Sequence, residues 1–122
     1  IDSIISNIIL AADLSLEDAK RRRLLLDWAQ QLSEWKIQHF NQDISARIIN
    51  LQIKERLLGL SESDNEELTQ ILIENNKNPE RCFEASVLLK SKKQADVYWN
   101  RINGSLKKDI AETPIYNLYS KL

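Results

Sequence analysis

His39 and Cys82, the one histidine and the one cysteine, are the side chains here best suited to acid–base, nucleophilic or metal chemistry. Asp43 follows His39 by four residues, a helical spacing at which a carboxylate can orient an imidazole ring. A Cys–His nucleophile would need that ring beside the thiol, and a metal site would need several His, Cys or carboxylate ligands converging. The H-E-x-x-H and C-x-x-C spacings are missing, and so is any Glu-x-x-His pair. Gly59 and Gly104 stand alone, which excludes a glycine-rich phosphate loop. Cys82 sits beside Phe83 with Arg81 as its nearest cation, the setting of a core thiol rather than an activated thiolate. The residue content therefore argues for no enzyme activity, no metal and no cofactor.

Charge offers a second kind of chemistry. Lys20, Arg21, Arg22 and Arg23 are consecutive, so on a helix they fan through about 300° instead of forming one stripe. Glu17, Asp18 and Asp27 lie within pairing distance of several of them. Lys90, Lys92 and Lys93 make a second basic group. Together the two groups would make a phosphate-binding patch, which is the nucleic-acid alternative. The overall balance, 17 Lys+Arg against 18 Asp+Glu, gives no general bias toward nucleic acid or an anionic membrane. Apolar residues supply the remaining candidates. Trp28 and Trp35 are two helical turns apart, placed either to fill a core or to anchor a partner. Ile4, Ile5, Ile8 and Ile9 form an isoleucine-rich face expected to pack against something outside this chain.

The elements that must position these residues are helical. Apolar residues recur at three- and four-residue steps nearly throughout, and no useful stretch alternates with period two. The fold class is all-α: about seven to eight helices joined by short loops, an irregular bundle or short solenoid with no sheet. One helical domain is expected over 1–122, with longer helices in 1–60 and shorter hairpins in 61–122. The long second helix is expected to bury Leu25, Trp28, Ala29, Leu32, Trp35 and Phe40. The third is expected to bury Ile44, Ile48, Leu51 and Leu58, widened by Ile49, Ile53 and Leu57. Start signals fall at Ser15 with Asp18, at Asp43 after a break from Asn41, and at Ser63 with Glu66. Further starts are Asn78-Pro79, Ser91 with Gln94, Ser105 and Thr113-Pro114, while Gly59 and Gly104 are expected to end helices. The opening apolar stretch from Ile4 to Ala12 is far short of the ~20 residues that span a bilayer. No membrane association is expected, and the chain reads as cytoplasmic. It begins at Ile1 and contains no Met, so it is expected to belong to a longer polypeptide.

Residues 79–103 resemble a tetratricopeptide-type helical hairpin. Small residues Ala85 and Ser86 lie in its first helix, and Ala95-Asp96-Val97-Tyr98-Trp99 sets a small residue four positions before an aromatic in its second. Thr113-Pro114-Ile115-Tyr116 resembles the opening of a following or capping helix. The resemblance implies a binding or assembly module. The functional expectation is a non-enzymatic helical interaction or assembly module of an intracellular protein, with a protein partner or a second copy. The alternatives are a small nucleic-acid-binding domain and the accessory domain of an enzyme whose active site lies elsewhere.

Overall fold

The computed structural model describes residues 2–40 and 43–122. Among the described residues there are eight α-helices and no strand. They are α1 (Asp2–Leu14), α2 (Ala19–His39), α3 (Ile44–Leu57), α4 (Glu62–Glu74), α5 (Pro79–Leu88), α6 (Lys92–Arg101), α7 (Gly104–Ile110) and α8 (Pro114–Tyr119). No described helix is long and apolar enough to cross a membrane. The chain forms two compact units, Ile1–Gly59 and Leu60–Leu122.

Short polar side chains start the helices, though often one step from the expected residue. Asp18, not Ser15, caps α2 by accepting from the Arg21 N–H at 3.0 Å. The Ser15 hydroxyl instead donates back to the Ala11 carbonyl at the end of α1. Asp43 caps α3 as expected, while Asn41 lies outside the described residues. The capping box of α4 is Ser61 with Asp64, two residues ahead of the Ser63–Glu66 pair, and both reciprocal bonds are made at 3.0–3.1 Å. Asn103 rather than Ser105 caps α7, so Gly104 begins that helix instead of ending α6. Several adjacent residues here can cap, and the winner depends on where the preceding chain arrives. Gly59 does terminate its helix, at φ +79° with its N–H on the Lys54 carbonyl.

In the first unit, α1 packs on α2 and α3. Its core joins Ile5, Ile8, Ile9, Ala29, Ile49 and Ile53, with Leu25, Leu32 and Leu57 around them. This corrects the expectation for α1: Ile5, Ile8 and Ile9 are consumed by the unit's own core, and only Ile4 faces outward. Full burial of each isoleucine contributes about 1.5–3 kcal/mol, so that face has a partner already. The phase of α2 is corrected as well. Its buried residues are Leu26, Ala29, Ser33 and Lys36, while Trp28, Trp35 and Phe40 are exposed. Ala29 and Ser33 have little side chain between backbones, which is what lets neighbouring helices close on that side. Leu58 is exposed too, because it lies past the last turn of α3 as its C-cap.

In the second unit α5 is the central element, with α4, α6 and α8 against it. It buries Cys82, Phe83, Ala85, Ser86, Val87 and Leu88. Leu68 and Ile71 come from α4, Ala95 from α6 and Ile115 from α8. Lys90 makes the sharp link to α6 in a left-handed conformation, φ 60°, after which Ser91 caps α6. The rings of Phe83, Trp99, Tyr116 and Tyr119 cluster with centroids 4.9–5.8 Å apart.

Candidate interaction surface

Three leucines in a row, Leu24 to Leu26, point about 100° apart on a helix and cannot share one face. Leu26 takes the core and Leu24 is left outside, 62% exposed. Trp28 and Trp35 share its side at 52% and 47% exposure. At 100° per residue, Leu24, Trp28, Gln31, Trp35 and His39 fall within a sector of about 80°, a stripe running most of the length of α2. The His39 ring stacks on Trp35 with centroids 4.4 Å apart and planes at 27°. Its Nδ1 lies 2.8 Å from the Trp35 carbonyl oxygen. The stripe is therefore partly ordered before anything binds to it.

Polar anchors on other sides hold α2 in place. Lys36 is nearly buried, and its ammonium bridges Asp2 of α1 and Asp43 at the start of α3, the latter at 3.1 Å. The Ser45 hydroxyl donates to the second oxygen of Asp2 at 3.2 Å. Burial disfavours the Lys36 charge, but hydrogen bonds to the two carboxylates outweigh it and raise its pKa. Asp43 is likewise penalised by burial, yet bonds from Lys36 and the Ala46 N–H hold it below its ordinary value. Near the other end, Arg56 grips Asp13 with two parallel bonds of 2.7 and 2.8 Å.

The other candidates separate. Asp43 is committed to Lys36 and its cap, and His39 to Trp35, so neither serves the other as an acid–base pair. Cys82 is buried with its thiol on the Asn75 carbonyl at 3.1 Å. Burial pushes that thiol up, against a Tyr98 hydrogen bond and the Arg101 charge, so it is a protonated core residue. Among the described residues no three His, Cys, Asp or Glu side chains converge as a metal site would require. Of the first basic group, Lys20 and Arg21 are exposed, Arg23 pairs with Asp27 at 3.1 Å, and Arg22 is half-buried. Of the second, Lys90 and Lys93 are exposed and Lys92 pairs with Asp96 at 3.2 Å. The two groups belong to different units.

Leu24 is the surface residue that apolar periodicity alone misses, whereas Arg22 belongs to the basic group that the sequence already offers as an anion contact. The signal for Leu24 was available, because Leu24, Trp28 and Trp35 recur as a second apolar stripe beside the core stripe. What sets Arg22 apart from Lys20, Arg21 and Arg23 had no signal in the sequence, since its partial burial depends on the end of α3. No protein-family model matches this chain, no curated protein matches it, and no solved structure matches its fold.

Proposed function

We propose that this chain is a helical interaction or assembly module of an intracellular protein, and that the α2 stripe is its docking surface. One observation carries the reading: two tryptophans and a leucine stand exposed in line on a helix whose opposite side is fully used by the core. Exposed large apolar residues grouped this way mark an interface, and tryptophan is enriched among residues that dominate binding energy. The spacing favours a second copy. Leu24 and His39 are equidistant from the midpoint between residues 31 and 32, and so are Trp28 and Trp35. A two-fold antiparallel pairing of α2 with itself would set each Trp28 against the partner's Trp35. The α5–α6 hairpin is the tetratricopeptide-like part of the module, supported by the complete burial of Ala85, Ser86 and Ala95.

Sedimentation of the whole chain over a concentration series tests the reading. Reversible dimerisation is expected, and it should vanish in Trp28→Ser/Trp35→Ser with helix content and thermal midpoint kept. A wild-type chain that stays monomeric throughout the series, or a dimer unaffected by the double substitution, overturns the self-pairing. The nucleic-acid alternative has less support, because Arg23 and Lys92 already have carboxylate partners.

A further inference from the structure

A pocket of about 260 Å³ opens in the first unit, lined by Leu16, Ala19, Arg22, Arg23, Leu26, Arg56 and Leu57. Its walls are the α1–α2 link, the first turns of α2 and the last turn of α3. Arg22 and Leu26 sit more than about 100° round α2 from Trp28 and Trp35, so the pocket is separate from the stripe. Four lining residues are apolar and three are arginines.

The arginines are not equivalent. Arg56 is saturated by Asp13 and the Gln52 carbonyl, at 2.7–3.1 Å. Arg23 leans outward onto Asp27. Arg22 has neither kind of partner, and its Nε is buried with no hydrogen-bond acceptor among the described residues. A guanidinium N–H removed from water without an acceptor is unfavourable, and the rule for such groups is that something satisfies them. Asp18 already caps the start of α2 by accepting from Arg21, so the unmet demand belongs to the Arg22 side chain, not to the helix end.

We propose that this pocket binds a small amphipathic anion: a carboxylate or phosphate monoester that accepts from Arg22, carrying a short apolar body against Leu16, Leu26 and Leu57. The planar fork of arginine suits both headgroups, and the leucines favour an alkyl or aryl tail over a bare ion.

Amide chemical-shift titrations of the whole chain with hexanoate and hexyl phosphate test this, with hexanol and inorganic phosphate as controls. Saturable shifts confined to residues around the pocket are expected for the two amphipathic anions, in a range of the order of millimolar for ligands this small. Arg22→Gln should weaken both by about tenfold or more, since it removes a charge-assisted contact. Arg23→Gln should change them less than about twofold, since Arg23 is already paired. Leu16→Glu, at an exposed position in a link, places a carboxylate at the mouth and should abolish anion binding with the fold intact. The proposal is overturned if wild type and Arg22→Gln titrate alike, or if no shifts saturate at the pocket. Inorganic phosphate binding as tightly as hexyl phosphate would equally refute the amphipathic ligand.

Discussion

Lys36 shows how a charge can be kept in a small helical core. Its two carboxylates come from different helices, so its burial ties three chain segments together instead of leaving a stranded ion. Asp43 has a depressed pKa when folded, so its contribution is complete above the ordinary carboxylate range and is lost as pH falls through the folded value. Lys36 is the mirror case, contributing below the ordinary lysine value and losing it as pH rises through the raised one. The thermal midpoint should therefore fall as pH drops below the ordinary carboxylate range in wild type, and fall less in Asp43→Asn. Arg56 and Asp13 predict a larger effect, with side chains only 3% and 10% exposed. Arg56→Ala strips Asp13 of two charged bonds and should cost about 3–5 kcal/mol in urea melts. Arg56→Met with Asp13→Leu should recover much of that, because the double variant leaves no abandoned carboxylate.

Among the elements, the α5–α6 hairpin is where close approach matters most. Ala95 is fully buried, and Ala95→Leu should overpack the contact by about 1–3 kcal/mol, read as a lowered urea midpoint. Asp96, one residue on and turned by helical phase away from the buried Ala95, accepts the Tyr119 hydroxyl as well as Lys92. Burial first, and then Asp96, push Tyr119 from 10.0 to about 12. In Asp96→Asn a titration of tyrosinate absorbance should bring Tyr119 part of the way back, with the share due to burial remaining. The helices themselves were legible, because capping residues and apolar spacing are local properties. Ala95 and Gly59 were legible for the same reason. The phase of α2 was not, since its sequence carries two apolar stripes and only the arrival of α1 and α3 decides which one is buried. Asp96 was illegible likewise, its partner lying 23 residues away on α8.

At the scale of the whole molecule, the two units differ in what they leave outside. The first presents Leu24, Trp28 and Trp35 along one helix, whereas the large exposed apolar residues of α4 to α8 are single ones, Ile73 and Val97. The three tryptophans divide in the same way, and this has an optical consequence. In the unpaired chain Trp28 and Trp35 are about half exposed to water, while Trp99 sits among Phe83, Tyr116 and Tyr119 with the Lys107 ammonium 5.6 Å from its ring centroid. At concentrations too low for α2 to pair, the red shift of tryptophan emission on heating should thus come almost entirely from Trp99, making intrinsic fluorescence a reporter of the second unit. Far-ultraviolet circular dichroism counts helices in both. Overlaid melts by the two methods should coincide if the units unfold together and split if they do not. Trp99→Phe should erase the fluorescence transition while leaving the dichroism transition of the first unit in place. A fluorescence transition that survives Trp99→Phe undiminished would mean that Trp28 or Trp35 is shielded from water after all.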